Sequence, residues 1–477
     1  MPAAFTTAEI IRATRGTLIQ GSSTATFCGV STDSRTAQSG QLYIPLLGEH
    51  HDGHQFIPGA LRRGVRGLLV AGKTVAQPPT AVLEQAGAPV PHAIPPEITV
   101  ISVPDTLTAL GDLARAWRDR FPIPVVAVTG SCGKTTTKEM TAAVLSRAFR
   151  VLKNPLNLNN LIGLPLTLLN LTGDHEAAVV EMGMNRFGEI LRLTRVSRPT
   201  IGVLTNVHAA HTEGVGDISG VARAKGELIQ ALDQRALLVY NADDPWLAPP
   251  ARGFPGRTLG FGLAPDADLR AGERALIGTR GQTACLTWQG KTWPLTLTTP
   301  GLHMLYNALA ATAVGLALGL EPGDTAAALA AFRPVARRSQ VDALPSGVHL
   351  LNDCYNANPG SMAMALQTLT ELRHQGRAAA ALGDMLELGN GAVQEHRELG
   401  RRAAAAGLDF LVIYGNYKME VAAGAREAGL APDRVRPVAT HREGAHLLKD
   451  FLQPGDWLLV KGSRGMHMEA LIAALEG

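Results

Sequence analysis

An apolar run that ends in glycine and leads into Gly-Lys-Thr is the feature that most constrains the fold of this 477-residue chain. The stretch reads VVAVTGSCGKTTTKEM over residues 125–140. PVVAVTG is typical of a buried strand, and the segment after it carries Met140, Val144 and Ala148 at helical spacing. A strand, a tight turn and the start of a helix, in this order, are the context in which a phosphate-binding loop forms.

The glycines of this loop stand closer together than in the common phosphate loop. Four residues usually separate the first glycine from the Gly-Lys pair, whereas only Ser131 and Cys132 separate Gly130 from Gly133. The backbone N–H groups of residues 131–135 can still surround a phosphate, and the positive end of the helix adds to the attraction. We therefore predict a nucleotide site rather than a chance glycine turn with an exposed lysine.

Several side chains near the ends of the predicted strands suit such a site. Lys134 can neutralise phosphate charge, and the Thr135 hydroxyl can bind Mg²⁺. Glu181 ends the apolar run AAVVEM, and His211 follows the next run, in TNVHAAHTEG, with His208 as the competing histidine. Because ligands of parallel sheets bind at the carboxyl ends of the strands, we expect this glutamate and one of these histidines to face the phosphates.

The alternation of apolar runs with helical segments indicates the fold class. HEAAVVEMG, RPTIGVLTNV and ALLVYNADDP continue the pattern, and VHLLNDCYNANP, GRAAAALGDM, LDFLVIYG and GDWLLVKGSRG repeat it further on. Buried parallel strands have such continuous apolar runs. We predict an α/β protein of three domains: a small mixed α/β domain at 1–100, a central P-loop domain with a parallel sheet at 101–332, and a Rossmann-like domain at 333–477.

Composition excludes several classes of partner. The net charge is only +3, no Lys/Arg tract stands out and aromatic residues are 5% of the chain, so we expect no nucleic-acid partner. Residues 302–320 are long enough to span a membrane, but they contain His303, Asn307 and Thr312, so we predict a buried helix and no membrane insertion. Four dispersed cysteines and an N-terminus without a signal-peptide pattern lead us to expect a cytoplasmic protein.

The phosphate loop and other segments resemble the Mur ligase family, the ATP-dependent amide-forming enzymes of peptidoglycan assembly. GSCGKTT matches the family's short loop G-x-x-G-K-T-T, so its compact spacing is a family trait. The resemblance covers essentially the whole chain through NPLNLNNLIGLPLTLLNL, EMGMNRFGEI, HTEGVGDISGVARAKGELI, DCYNANPGSM, LGDMLELG and KGSRGMHME. YNANPxSM is the most discriminating segment, and it indicates the branch that adds D-Ala-D-Ala to UDP-N-acetylmuramoyl-tripeptide.

The resemblance implies an activity and its cofactors. The reaction would join D-Ala-D-Ala to UDP-N-acetylmuramoyl-tripeptide through an acyl phosphate, giving UDP-N-acetylmuramoyl-pentapeptide, ADP and phosphate. ATP and two Mg²⁺ ions would be required, the partners would be small molecules, and we expect a monomer. We also expect the C-terminal domain to close by a hinge, so that Arg338 and Asp353 complete the ATP site only in the closed form.

The resemblance also implies roles for individual residues. Nucleotide binding is implied for Thr129, Gly130, Ser131, Cys132, Gly133, Lys134, Thr135, Thr136, Asn307, Arg338 and Asp353. Catalytic roles are implied for Lys134, Glu181, His211 and Lys225, and metal binding for Thr135, Glu181, His211 and, in a carbamylated form, Lys225. Substrate binding is implied for Ser34, Arg35, Asp52, His54, Tyr355, Asn356, Asn358 and Ser361.

Simpler structural interpretations stand beside several of these roles. Lys225 also suits a lysine on a helix surface, and Asn307 suits an asparagine in a helical core. Asn358 precedes a proline and suits a turn. Arg337 competes with its neighbour Arg338 for the nucleotide role.

One cysteine and one histidine-rich segment raise further possibilities. Cys132 stands where relatives carry a small polar residue or Asn. Because a thiol at a helix N-terminus can have a lowered pKa, we expect the loop to be sensitive to oxidation. A metal site is the weaker interpretation of the segment that contains His50, His51, Asp52 and His54, since DGHxF itself matches the family.

Other functions stay open at this point. Another amide ligase of the same fold, such as a diamino-acid-adding Mur ligase or a folate polyglutamylating enzyme, would lack YNANPxSM and prefer a free amino acid. A P-loop switch protein would not need the segments STDSR and GEHHDGHQF, which resemble sugar-binding segments of the family. An inactive scaffold is disfavoured because Lys134, Thr135 and Glu181 are all present.

Overall fold

A computed structural model of the protein describes residues 3–48, 51–72, 94–155, 158–373 and 376–477. The chain divides into two compact units. Unit 1 comprises Met1–Ala127, Phe149–Met182 and Leu191–Thr200, and unit 2 comprises Val128–Ala148, Gly183–Ile190 and Ile201–Gly477. Both units are therefore assembled from three separate stretches of chain.

Strands and helices alternate along most of the chain. The strands of the described ranges are β1 (Ala4–Thr6), β2 (Thr17–Gln20), β3 (Thr26–Cys28), β4 (Val30–Ser31), β5 (Leu42–Tyr43), β6 (Gly67–Ala71), β7 (Thr99–Val103), β8 (Val125–Thr129), β9 (Val151–Lys153), β10 (Ala177–Glu181), β11 (Ile201–Leu204), β12 (Leu237–Asn241), β13 (Arg257–Gly262), β14 (Leu269–Leu276), β15 (Gln282–Trp288), β16 (Lys291–Leu297), β17 (Gln340–Ala343), β18 (His349–Asp353), β19 (Ala378–Gly383), β20 (Phe410–Tyr414), β21 (Val435–Val438) and β22 (Trp457–Lys461). The α-helices of the same ranges are α1 (Thr7–Thr14), α2 (Ile57–Arg62), α3 (Thr106–Arg118), α4 (Lys134–Leu145), α5 (Gly163–Leu168), α6 (Glu189–Ser197), α7 (Thr212–Val215), α8 (Ile218–Ala231), α9 (Ala248–Arg252), α10 (Leu302–Ala317), α11 (Pro322–Ala331), α12 (Pro359–Leu372), α13 (Ala392–Ala405), α14 (Lys418–Glu427), α15 (His441–Phe451) and α16 (Glu469–Glu476).

Unit 1 contains a five-stranded sheet made of short apolar strands. Its order is β2-β7-β6-β5-β4, and all neighbours are parallel except β2, which runs antiparallel to β7. Tyr43, Leu68, Val70 and Val100 pack together in its hydrophobic core. Unit 1 also holds β9, β10 and the first three residues of β8, in the order β8-β10-β9. The N-terminal part is thus mixed α/β, as the sequence predicts.

Unit 2 holds the last two residues of β8 and the strands that follow β10. Their order is β8-β11-β12-β13-β14-β15-β16. Strands β11 to β14 are parallel, whereas β14, β15 and β16 form an antiparallel meander. The sequence analysis predicted β11 and β12 but missed β13 to β16. Strand β13 begins with two exposed residues, and β14 to β16 mix buried residues with exposed or half-buried ones, so none of them gives a long continuous apolar run.

Helix α10 forms most of the apolar segment 302–320, which is long enough to span a membrane. It packs against α4, and almost all of its residues from 304 to 316 are buried in unit 2. The prediction of a buried helix is therefore confirmed. Across the described ranges, no helix combines the length and apolar character that crossing a bilayer requires.

The C-terminal part of unit 2 forms a six-stranded sheet with a core on each face. Its order is β17-β18-β22-β19-β20-β21, and only β17 is antiparallel to its neighbour. Leu351 and Leu459 lie in one hydrophobic cluster, while their neighbours Leu350 and Leu458 lie in the other. Strands buried on both faces explain why the sequence shows them as continuous apolar runs. The predicted α/β class with parallel sheets is confirmed.

Candidate active site

The phosphate loop of unit 2 has two glycines in backbone conformations that other residues resist. Gly130 has a φ of +150° and Gly133 a φ of +79°. A Cβ at Gly130 would lie 2.0 Å from Thr205 Oγ1, and a Cβ at Gly133 would lie 2.3 Å from Asn307 Oδ1. Both positions therefore require glycine, for their conformation and for the close approach of their neighbours.

Residues that follow β11 hold the loop in place. The N–H of Ser131 donates to Asn206 O at 2.9 Å, and the N–H of Cys132 donates to Asn206 Oδ1 at 2.8 Å. Thr205 Oγ1 donates to Cys132 O at 2.7 Å. The N–H groups of residues 131 and 132 thus both donate to Asn206, and their role in binding phosphate stays a prediction.

Lys134 begins α4 and bends back over the loop. Its Nζ donates to Gly130 O at 2.9 Å and to Ser131 O at 3.4 Å. The ammonium group therefore lies directly beside the turn that would surround a phosphate. This position suits the predicted role of neutralising phosphate charge.

Cys132 joins the phosphate loop to the C-terminal part of unit 2. Its thiol is almost fully buried and donates to Asn358 Oδ1 at 3.1 Å. Asn358 in turn caps α12, where it forms a capping box with Ser361. Burial raises the pKa of the Cys132 thiol. The expected low pKa and sensitivity to oxidation are therefore wrong, because desolvation disfavours the reactive thiolate.

Asn307 lies on α10 below the phosphate loop and is buried. Its Oδ1 accepts a hydrogen bond from Thr137 Oγ1 at 3.1 Å and stands against Gly133. This contact supports the shape of the loop. The role near the adenine that the resemblance implies for Asn307 stays a prediction.

His211 follows β11 and contacts a carboxylate from the C-terminal part of unit 2. Its backbone is left-handed, with φ at 57°, and its Nδ1 lies 2.5 Å from Glu387 Oε2. The nearby His211 ring lowers the pKa of the Glu387 carboxyl. The competing histidine, His208, exchanges hydrogen bonds between its backbone and Ser131 Oγ, and burial lowers the pKa of its ring.

Lys225 lies on α8 and is completely buried. The interpretation as an exposed lysine on a helix surface is therefore wrong. Burial of an ammonium group is costly unless it is neutralised or stabilised by partners. A buried lysine of this kind is compatible with carbamylation, which stays a prediction.

Arg338, just before β17, contacts Tyr355, just after β18. The guanidinium Cζ lies 4.0 Å from the centroid of the Tyr355 ring, a cation–π arrangement. The competing residue, Arg337, forms an ion pair of 3.0 Å with Glu469. Both arginines therefore contact Tyr355: Arg338 through its side chain, and Arg337 through its backbone carbonyl, which accepts from the N–H of Tyr355 at 3.2 Å.

Asp353 ends β18 beside Lys461, which ends the neighbouring strand β22. Lys461 Nζ lies 2.5 Å from Asp353 Oδ2 and also donates to Asn356 O at 2.9 Å. The other carboxylate oxygen of Asp353 accepts from the N–H of Ser339 at 2.9 Å. These contacts fix Asp353 and the start of the YNANP segment at the same edge of the sheet.

Glu181, the predicted metal ligand of unit 1, is 2% exposed at the end of β10. Asn159 Nδ2 donates to its Oε1 at 2.7 Å, and its N–H donates to Asn154 Oδ1 at 2.9 Å. The Asn159 amide therefore orientates the carboxylate, while Asn154 holds the backbone of Glu181. Neither asparagine was predicted as part of the site.

The predicted substrate residues of unit 1 form two local groups. Arg35, next to Ser34, forms an exposed ion pair with Asp33, and its hydrogen bonds lower the pKa of that carboxyl to about 2. His54 Nδ1 lies 2.6 Å from Asp52 Oδ1, and its Nε2 accepts from the N–H of residue 71.

Both ring nitrogens of His54 are thus used within the protein, which argues against the metal interpretation of this segment. His50, part of that interpretation, lies outside the described residues. Within the described ranges, no group of three or more His, Cys, Asp and Glu side chains is arranged to hold a metal ion.

Comparisons with known proteins agree with this architecture. Models of the Mur ligase family match residues 26–118 (catalytic domain), 128–315 (middle domain) and 337–464 (glutamate ligase domain). The UDP-N-acetylmuramoyl-tripeptide–D-alanyl-D-alanine ligase of Bacillus subtilis is 37% identical over 94% of this chain and 93% of its own. The chain belongs to the Mur ligase family.

Solved Mur ligase structures have the same fold. A crystal structure of MurF from Acinetobacter baumannii matches with a TM-score of 0.88 at 30% identity and covers 100% of both chains. The structure of MurF ligase from Thermotoga maritima in complex with ADP matches with a TM-score of 0.81 at 28% identity, over 94% of this chain and 96% of its own.

Three further residues of this Mur ligase, all in unit 2, contact predicted site residues although the sequence analysis did not select them. Asn206 follows β11, Glu387 follows β19 and Lys461 ends β22. Each lies at or after the carboxyl end of a parallel strand, where ligands of such sheets bind. That position is the signal from which they could have been predicted.

Proposed function

We propose that the chain is an ATP-dependent peptide ligase that joins D-Ala-D-Ala to UDP-N-acetylmuramoyl-tripeptide. Relatives with this activity in their names are 33–37% identical over about the whole chain, which favours it over the diamino-acid-adding and folate alternatives. The observation that carries the proposal is the contact between Cys132 of the phosphate loop and Asn358 of YNANPGSM. This contact joins the loop that predicts a nucleotide site to the segment that predicts D-Ala-D-Ala as the substrate.

The reaction begins with activation of a carboxylate that is unreactive towards amines at neutral pH. The terminal carboxylate of the tripeptide attacks the γ-phosphorus of ATP, and the bond to ADP breaks to give an acyl phosphate. The amine of D-Ala-D-Ala then attacks the acyl carbon, and the tetrahedral intermediate expels phosphate. Because the enzyme forms no covalent bond, its residues act by positioning and by neutralising charge.

The phosphate loop supplies the charge and shape for the first step. Lys134 Nζ lies beside the carbonyl groups of Gly130 and Ser131, where it can offset charge on the transferring phosphoryl group. Gly133 lets the loop pack closely against Asn307 at the start of α4. Arg338 and Asp353 extend the nucleotide site from the C-terminal part of the chain.

The donors that the sequence predicts are of the chemical types that bind divalent cations. Thr135, Glu181 and His211 supply hydroxyl, carboxylate and imidazole groups, and a carbamylated Lys225 would add a second carboxylate-like group. Glu181 Oε1 accepts a hydrogen bond from the Asn159 amide, and a carboxylate that accepts hydrogen bonds is suited to bind a metal ion. Bound Mg²⁺ would supply Lewis-acid neutralisation of phosphate charge.

The remaining predicted residues would bind the UDP-sugar substrate and the dipeptide. Ser34, Arg35, Asp52 and His54 would bind the UDP-sugar within a domain of residues 1–100. A domain of residues 101–332 would bind ATP, and a domain of residues 333–477 would place the dipeptide through Tyr355, Asn356, Asn358 and Ser361. The protein would act on these small molecules as a monomer.

Release of phosphate from ATP tests the proposal directly. The purified protein should release phosphate with UDP-N-acetylmuramoyl-tripeptide and D-Ala-D-Ala, and far less when the dipeptide is omitted or replaced by single amino acids. Activity with a free amino acid but none with the dipeptide would refute the assignment. Lys134→Met should abolish phosphate release, whereas Lys449→Met, at an exposed position on α15, should leave it unchanged.

A further inference from the structure

The loop that follows β22 is held against the segment predicted to bind the dipeptide. Lys461 Nζ donates to Asn356 O at 2.9 Å, and Ser463 Oγ donates to Ala357 O at 3.2 Å. The N–H of Arg464 donates to Asn356 Oδ1 at 3.3 Å. Arg464 therefore lies beside a predicted substrate residue, although the sequence analysis assigned it no role.

Two guanidinium groups share one carboxylate oxygen next to this segment. Arg464 Nη1 lies 2.6 Å from Glu469 Oε1, and Arg337 Nη1 lies 3.0 Å from the same oxygen. The side chain of Arg464 is 50% exposed and that of Arg337 is 41% exposed. A guanidinium has five N–H donors in a planar fork that matches a carboxylate. Two positive charges and one negative charge thus leave this cluster with exposed donors for a further anion.

Backbone contacts tie both arginines to the same segment. The carbonyl of Arg337 accepts from the N–H of Tyr355 at 3.2 Å, and the N–H of Arg464 donates to Asn356. Arg337 also has a left-handed backbone, with φ at 64°, which is uncommon for a residue other than glycine. The two guanidinium groups therefore start from positions that are fixed relative to residues 355 and 356.

The length of the dipeptide fits the distance from the phosphate loop to this cluster. Asn358 Oδ1 contacts the Cys132 thiol of the loop, whereas Asn356 Oδ1 contacts the N–H of Arg464. An extended chain spans at most about 3.6 Å per residue, so the Cα atoms of Asn356 and Asn358 are at most about 7 Å apart. A dipeptide has the same maximum length of about 7 Å. With its amine towards the phosphate loop, it can reach Arg464 with its other end.

That other end carries the group that an arginine recognises. The terminal carboxylate of D-Ala-D-Ala is charged at neutral pH, and its removal from water is costly unless it is paired. We propose that the guanidinium of Arg464 binds this carboxylate, while Arg337 shares Glu469 and so leaves donors of Arg464 available. The inference rests on the proposed function, of which it names the group that is recognised. A free carboxylate is then a requirement for the acceptor.

The dipeptide and its C-terminal amide separate the carboxylate from the rest of the acceptor. Phosphate release is measured with saturating ATP and UDP-N-acetylmuramoyl-tripeptide, while D-Ala-D-Ala or D-alanyl-D-alaninamide is varied. The wild type should have a KM about 10- to 100-fold higher for the amide, the range expected for loss of a charged hydrogen bond. Arg464→Met should raise the KM for D-Ala-D-Ala by a similar factor and hardly change that for the amide, because the two changes remove the same interaction. A full preference for the acid in Arg464→Met would overturn the proposal.

Glu469→Gln distinguishes binding of the dipeptide from a structural role of the ion pair. It removes the carboxylate that Arg464 contacts but keeps the guanidinium, so the KM for D-Ala-D-Ala should not rise. If Arg464 acted only through this ion pair, Glu469→Gln would raise the KM as much as Arg464→Met. Arg442→Met, at an exposed position on α15, removes the same charge elsewhere and should leave both KM values unchanged.

The KM for ATP distinguishes a carboxylate ligand from a phosphate, since arginine binds both with the same fork of donors. Arg464→Met should leave the KM for ATP unchanged. A higher KM for ATP with an unchanged KM for the dipeptide would assign Arg464 to the nucleotide and refute the proposal. A wild type that uses acid and amide equally well would refute the carboxylate subsite alone. A wild type that releases no phosphate with either acceptor would refute the proposed function, and the subsite with it.

Discussion

Replacement of Gly133 by alanine tests the phosphate loop where it lies closest to α10. Gly133 has a φ of +79°, and a Cβ added there lies 2.3 Å from Asn307 Oδ1. An alanine therefore meets two obstacles. The first is a left-handed backbone, and the second is a side chain that the hydroxyl of Thr137 holds in place at 3.1 Å.

The size of the effect follows from these two contacts. A left-handed conformation costs a residue with a Cβ roughly 1–2 kcal/mol. Displacement of Asn307 breaks a buried hydrogen bond and leaves its partner unsatisfied, at a cost of about 1–3 kcal/mol. We therefore expect a total of roughly 2–5 kcal/mol. If the loop keeps its shape, this strain lowers the free energy of unfolding by the same amount. If the loop rearranges, the strain is relieved at the expense of nucleotide binding, and each 1.4 kcal/mol of lost binding free energy weakens the affinity about tenfold.

Urea denaturation and calorimetric titration with ADP measure the two parts of this cost. Gly290 provides the control, because it has a φ of +76° with no atom within 4 Å of an added Cβ. Gly290→Ala should cost only the backbone term, about 1–2 kcal/mol of stability, and leave ADP affinity unchanged. In an Asn307→Ala background Gly133→Ala should cost less stability than in the wild type, because the side chain that the new Cβ would displace is absent. Equal effects of the two glycine substitutions would refute the steric argument.

Three other predictions follow from buried groups. Lys461→Met leaves the carboxylate of Asp353 without its cation, so it should lower the free energy of unfolding in urea by about 3–5 kcal/mol; a change below 1 kcal/mol would contradict this. Cys132, buried and with a raised pKa, should react with iodoacetamide far more slowly than the exposed Cys28 when labelling is followed by mass spectrometry; equal rates would contradict the burial. Burial lowers the pKa of His303 to about 4 from 6.5, so the unfolded chain gains a proton between these values that the folded protein excludes. Stability should fall by about 3 kcal/mol as the pH drops through this window, and His303→Gln should show a flatter dependence.

The strands that could be predicted from the sequence share one physical property. Parallel strands such as β8, β12 and β22 are buried on both faces, so their residues form continuous apolar runs. The meander of β14 to β16 is partly exposed and lacks such runs. The sequence feature that indicates this meander is a hairpin pattern, in which QTACLTW and KTWPLTL lie on either side of a turn at Gly290.

The sequence predicts those parts of the candidate site whose residues lie close together in the chain. The phosphate loop, Lys134 and Thr135 lie within one motif, and Glu181 follows an apolar run. The partners of these residues come from distant parts of the chain. Lys461 is 108 residues from Asp353, and only the parallel register of β18 with β22 places the two side by side. Such pairings depend on the order of strands in the sheet, which no local pattern specifies.

The three stretches that form unit 1 have a consequence for the nascent chain. Ala127 ends the first stretch, but the unit is complete only when Thr200 has been synthesised. At translation rates of about 5–20 residues per second, that interval lasts roughly 4 to 15 seconds. During this time the edge of β8 that pairs with β10 has no partner strand. Unpaired strand edges are prone to aggregation, so we expect the nascent chain to be most vulnerable to it until translation passes residue 200.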